Sequence, residues 1–200
     1  MYFVQTTRRM VAGIMAASIA SMALGAAPAS ARPTPPTSCL IDASNDARTV
    51  ASLMNGCSTE EILALFAKAP VGTRPVGRKT LSLLPVFQLR GDHLPYDAAK
   101  AFTRAQSTLG DALTFTTRQG EPWVYKNYAW GRDAGAPVVE GTSRVDGGPV
   151  YAADFSRDFN GLQISLHEYR QLTPGVWIAR DIGGGSGRTD TPTGGVIALH

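Results

Sequence analysis

Two hundred residues with 44% hydrophobic content suit one globular domain once an N-terminal leader is set aside. The formal charge of +3 overstates the basicity, because Arg8 and Arg9 fall in that leader; without it, 17 basic residues face 16 acidic ones, net +1. With no Lys/Arg cluster left, nothing favours nucleic acid or an anionic membrane surface as a partner.

Residues 1–31 read as a cleavable signal peptide. Arg8 and Arg9 supply the positive start, Met10 to Leu24 the apolar run, and Ala29-Ser30-Ala31 the small-residue cleavage site, with cleavage after Ala31. The run is too short and the rest of the chain too polar for a membrane span. The expectation is therefore a secreted, periplasmic or cell-envelope protein. A Pro-rich linker follows at 32–38, then a single α+β domain at 39–200, helical over 39–110 and barrel-forming over 111–200. The only cysteines, Cys39 and Cys57, most simply form a disulfide in an exported chain. They lack the close spacing and histidine partners of a metal pair.

Ser44 to Asn55 shows helical spacing at Val50, Leu53, Met54 and Cys57, and Gly56 suits its end. Ser58 with Glu61 three residues on forms a capping box for a second helix, with a stripe of Ile62, Leu65, Phe66 and Ala69 stopped by Pro70. Thr80 to Leu89 reads as an edge strand because Pro85 interrupts it. A third helix is expected over Ala98 to Leu109, capped by Asp97, with Ala98, Ala101, Phe102, Ala105 and Leu109 inward. From Leu113 the period becomes two. Leu113 to Arg118 and Trp123 to Trp130 form a hairpin. Val138 to Ile182 then holds four Val-, Ile- and aromatic-rich runs parted by turns at Asp146 to Gly148, Asp158 to Gly161 and Thr173 to Gly175. After a loop, Val196 to Leu199 adds a last strand. Seven or eight strands joined by short turns predict an antiparallel β-meander closing into a barrel or a strongly curled sheet.

Chemistry is sparse. Strict alternation sets Glu168 and Arg170 in line with Leu162, Ile164 and Leu166, Arg180 in line with Val176 and Ile178, and Asp154 in line with Val150 and Ala152. If those faces are interior, Asp154, Glu168, Arg170 and Arg180 form a paired polar cluster able to hold a ligand's head group; a strand bulge or a charged barrel rim would produce the same pattern. Trp130, Tyr151, Phe155 and Trp177 are the candidate wall residues, although most aromatics are simply core. His167 and Tyr169 fall on the face opposite Glu168. No metal-binding spacing exists, no G-x-S-x-G elbow accompanies His167, and Gly183 to Thr189 has the wrong glycine spacing for a phosphate loop. No metal or cofactor is expected.

The stretch Glu168 to Ile178, with its Arg-x-Leu-x-Pro-Gly hairpin and following Trp177, resembles a loose group of exported, lipocalin-like proteins, as do Val150 to Phe155 and Trp130-Gly131-Arg132. The resemblance covers about the last 80 residues and implies a calycin-type barrel with a small-molecule cavity. The Gly-x-Trp start of true lipocalins is absent. Three functions follow as expectations: a secreted binding protein for a lipophilic small molecule, an enzyme in the same cavity with Glu168 or Asp154 as general base, or a cell-envelope protein-interaction module.

Overall fold

The computed structural model describes residues 39–132, 135–155, 165–183 and 193–200. The expected leader and linker, the turn at Asp158 to Gly161, and Leu162 and Ile164 lie outside them. Three short helices, α1 (Asp46–Asn55), α2 (Thr59–Lys68) and α3 (Tyr96–Gln106), accompany one antiparallel sheet. Its strands are β1 (Gly77–Leu89), β2 (Asp92–His93), β3 (Gly110–Arg118), β4 (Glu121–Tyr128), β5 (Gly131–Arg132), β6 (Ala136–Pro137), β7 (Val139–Thr142), β8 (Pro149–Asp154), β9 (Ser165–Gln171), β10 (Trp177–Gly183) and β11 (Gly194–Leu199). The count among the described residues exceeds the expected seven or eight because β2, β5 and β6 are two-residue pieces. The class is α+β, as expected, and the sheet is a strongly curled half-barrel.

Strands β7 to β11 run as a meander in chain order, β11 pairs with β1, and β1 leads through β3 to β4. The two ends of this path are stitched by one segment. Ala136 and Pro137 pair with β4, while Val139 to Thr142 pair with β8. Buried Val138 between them donates its N–H to the Pro122 carbonyl.

Pro85 does not put β1 at an edge. The strand is central, between β3 and β11, and Pro85 is buried. The β1–β11 register shifts by two residues between Leu83 and Phe87, so Pro85 sits where the ladder is interrupted and demands no N–H from it.

The pleat divides the sheet's side chains between two cores. On the convex face, Val150, Ile178, Val196, Ala198, Leu84 and Val86 pack under Val50 and Leu53 of α1 and Ile62 and Phe66 of α2. On the concave face, Leu113, Phe115 and Val124 meet Ala153, Phe155, Tyr169, Trp177, Ala179, Ile197 and Leu199 across the curl. The capping box of α2 forms in full, Ser58 accepting from the Glu61 N–H and Glu61 accepting from the Ser58 N–H. Asn45 caps α1.

In α3 the expected stripe is wrong. Ala99 and Thr103 are the buried positions, and Ala98, Ala101, Phe102, Ala105 and Leu109 are exposed. The alanines gave that stripe little apolar contrast, and Thr103 satisfies its hydroxyl on the Lys100 carbonyl within the helix. Asp97 lies in the first turn and does not cap the helix.

Cys39 and Cys57 are joined, pinning the start of the domain to the α1–α2 junction. The bridge closes a loop with a sequence separation of 18. Replacing both cysteines by serine should cost about 3 kcal/mol of unfolding free energy, from the loop entropy returned to the unfolded chain. Urea denaturation of the double variant checks this: a midpoint unchanged from the parent would mean the bridge constrains nothing.

Candidate functional site

The eight residues expected to bind a ligand do not meet in one place. Alternation is as read: Glu168, Arg170 and Arg180 share a face, and all three are buried. That face, however, is the convex one under the helices. Tyr151, Phe155 and Trp177 face the concave core. Asp154 is exposed at the end of β8. Trp130 lies on the surface with 62% exposure, its ring stacked on Tyr128 at 4.8 Å. The reason is the pleat: even-numbered residues of β8, β9 and β10 point one way and odd-numbered ones the other, and both faces are covered.

The convex charges are engaged, apart from the buried Nε of Arg180, which has no hydrogen-bond partner among the described residues. Arg170 donates Nη1 to the Phe66 and Ala67 carbonyls at 2.8 and 3.2 Å, and Nε to the Pro149 carbonyl at 3.1 Å. It also grips Asp146 with both terminal nitrogens, at 2.7 and 2.6 Å. Its guanidinium lies 4.4 Å from the centre of the Phe66 ring. Gly148 is required here, since a Cβ on it would lie 2.5 Å from Arg170 Nη2. Glu168 accepts from Ser143 Oγ at 2.6 Å and from the Arg144 N–H at 2.7 Å, which fixes the β7–β8 turn. With both oxygens engaged in the interior, it is poorly placed to take a substrate proton. Arg180 pairs with Glu168 across β9 and β10 and donates Nη2 to Gln88, whose amide nitrogen lies 3.0 Å from His93 Nε2. Burial pulls the Arg180 guanidinium below its ordinary value, and the carboxylates of Glu168, Asp146 and Asp181 oppose that.

The concave face holds the cluster that deserves the name of a candidate site. His167 is buried with Nδ1 3.0 Å from the Tyr169 hydroxyl and Nε2 3.3 Å from Asp181 Oδ1. Antiparallel register creates this pair, because Asp181 is opposite His167. Burial, reinforced by the Asp181 charge, holds Tyr169 protonated well above the usual phenol range. Nε2 points its hydrogen at the carboxylate, and Nδ1 shares a hydrogen bond with the hydroxyl, whichever of the two donates it. From β4, Lys126 donates to buried Ser165 at the start of β9, with its ammonium 4.2 Å from the Phe155 ring centre. Asp181 Oδ1 is shut off from solvent, yet the side chain keeps 32% of its surface. Burial would raise the Asp181 carboxyl, but His167, then Lys126 and Arg180, outweigh it and hold the group below the usual range. The cluster thus sets an ionised carboxylate and the Lys126 amine at one end of the concave core that packs Phe155, Phe115 and Trp177, with half-buried Tyr151 against it.

Sequence reading placed His167 and Tyr169 opposite Glu168 but gave them no partner. The signal was present in the hairpin: residues equidistant from Pro174 face each other, which couples His167 to Asp181 and Glu168 to Arg180. Among the described residues no group of three or more His, Cys, Asp or Glu could hold a metal ion, and no helix is long and apolar enough to cross a membrane. No family model, curated protein or solved structure matches the chain.

Arg170→Met should cost about 3 kcal/mol or more by leaving Asp146 without its partner. Arg170, then the Gly148 N–H and Ser143, hold the Asp146 carboxyl below its ordinary value. A depressed folded-state value stabilises above the unfolded carboxyl value, near 3.8, and is lost as pH falls through the folded one. Urea midpoints measured from pH 6 to pH 2 should therefore fall less steeply in Asp146→Asn than in the parent. Tyr169→Phe should cost about 1–3 kcal/mol, because it strips His167 Nδ1 of a buried hydrogen-bond partner. A thermal melt unchanged by this substitution would show that the hydroxyl is not needed there.

Proposed function

We propose that this is an exported binding protein for a small lipophilic molecule, received against the concave face of the half-barrel in the manner of lipocalin-like proteins. A single observation supports the reading: one end of the concave face, beside its aromatic core and half-buried Tyr151, holds a polar cluster of Lys126, Ser165, His167 and Asp181. Apolar lining with a few convergent polar groups is what a small-molecule site needs, the lining for affinity and the polar end for orientation. The disulfide fits an extracellular or envelope location, and the apolar leader with its small-residue cleavage site fits export.

On this reading Tyr151, Phe155 and Trp177 remain wall residues, and the head-group role moves from Glu168, Arg170 and Arg180 to Lys126 and Asp181. Half-buried Tyr151 is the wall residue whose loss disturbs the core least. The mature protein should bind the apolar fluorophore N-phenyl-1-naphthylamine saturably at one equivalent, and Tyr151→Ala should weaken that binding at least about fivefold. Native mass spectrometry of protein taken from its own host should show a stoichiometric extractable compound. Fluorescence that rises without saturating, together with an empty protein, would sink the reading.

A further inference from the structure

The outer surface of the β3–β4 hairpin is built differently from the rest of the convex face. Phe115 and Val124 belong to the concave core. Trp123 and Tyr125 on β4, with Thr116 and Thr114 opposite them on β3, therefore point outward. Helices α1 and α2 pack over β1 and β10, not over this hairpin's aromatic row. Trp123 and Tyr125 are half-buried, with ring centres 6.3 Å apart. The Arg118 guanidinium lies 4.6 Å from the Trp123 ring centre, and that of Arg132 lies 5.1 Å from the Tyr125 ring centre. Both arginines are exposed, and neither makes a hydrogen bond or ion pair among the described residues. Arg78, which faces Thr114 from β1, is by contrast already paired with Asp111 at 3.3 Å. A guanidinium held through its face by an aromatic ring keeps its N–H edge for another partner. This hairpin thus carries two such edges along one strand, and their charge calls for carboxylates, which a guanidinium fork takes two oxygens at a time.

We infer that the outer face of the β3–β4 hairpin binds an acidic polysaccharide, with carboxylates of its uronate sugars on Arg118 and Arg132. The charge of the two free forks fits repeated carboxylates along a chain. The short polar groups beside them, the Thr116 and Thr114 hydroxyls and the Asn127 amide that accepts from Thr114 at 2.7 Å, suit sugar hydroxyls. An added peptide strand does not fit, because β4 is already paired by β3 on one side and by β5 and β6 on the other. A nucleic acid draws its affinity from many phosphate contacts, and two guanidiniums supply few. Exposed Glu121, opposite Arg118 across the hairpin, is the charge that works against such a ligand. Trp123 and Tyr125 turn away from the concave core, so this site does not rest on the binding function proposed above.

The experiment titrates tetragalacturonate into the protein at neutral pH and low salt by calorimetry, beside uncharged maltotetraose and an oligothymidylate of the same charge. Tetragalacturonate should bind saturably, at least about tenfold more tightly than either comparison ligand. Arg118→Gln and Arg132→Gln should each weaken it at least about fivefold. Glu121→Gln should tighten it about twofold by removing the opposing carboxylate. All three side chains are exposed, so the variants should keep the parent's circular dichroism and melting temperature. Absence of tetragalacturonate binding overturns the inference, as does binding that neither arginine substitution weakens. Maltotetraose bound as tightly would show that the carboxylates are not read, and oligothymidylate bound as tightly would show that any polyanion serves; either result overturns it too.

Discussion

The structure turns on the guanidinium of Arg170. It is buried on the convex face of β9 and reaches in three directions at once: to the last carbonyls of α2 at Phe66 and Ala67, to the carbonyl of Pro149 at the start of β8, and to Asp146 in the β7–β8 turn. A charge in that position is tolerated only because these partners take up its donors. The same contacts fix where α2 ends against the sheet and how the β7–β8 turn folds over it. That turn also carries Ser143 and Arg144, which hold Glu168. Removing the arginine would therefore loosen a helix end, a turn and a neighbouring carboxylate together.

The convex face is consequently a polar frame under a helical lid, and the concave face is a different environment. Each face of β9 and β10 carries charged or titratable groups, and each group finds its nearest partners on its own face. Glu168, Arg170 and Arg180 are answered by Ser143, Asp146 and Gln88, while His167 and Asp181 are answered by Tyr169 and Lys126. The two sets still act on each other through the sheet, since convex Arg180 and concave Asp181 each feel the other's charge. On the concave face part of the Asp181 side chain stays in solvent beside buried His167, which is why function is sought there.

Much of this was legible in the residues, for physical reasons that also explain what was not. Turn chemistry and period-two alternation gave the meander and correctly put Glu168, Arg170 and Arg180 on one face. They could not say which face was concave, because helices cover the convex face and every residue of β9 except Gln171 is buried. A strand buried on both sides loses the contrast that distinguishes inside from outside. Pro85 misled because a proline in a strand normally means an edge, and the register shift that accommodates it depends on the distant β11. The His167–Asp181 contact needed the hairpin register about Pro174 and not merely the presence of two strands. The stripe of α3 failed for a simpler reason: in a helix rich in alanine, hydrophobic periodicity hardly distinguishes one side from another.

The pairing of β1 with β11 sets Leu81 beside Leu199, so the middle of the sheet is built from the two ends of the domain. Contacts of such long sequence separation are slow to form, because the entropy of closing the intervening chain is lost before the contact repays it. During synthesis, β1 waits for nearly the whole polypeptide before its neighbour on that side exists. The meander from β7 to β10 can assemble locally, but the half-barrel is completed only when the last strand arrives. If the chain is exported unfolded, as the proposed function has it, that delay keeps it pliable until the last strand has been delivered.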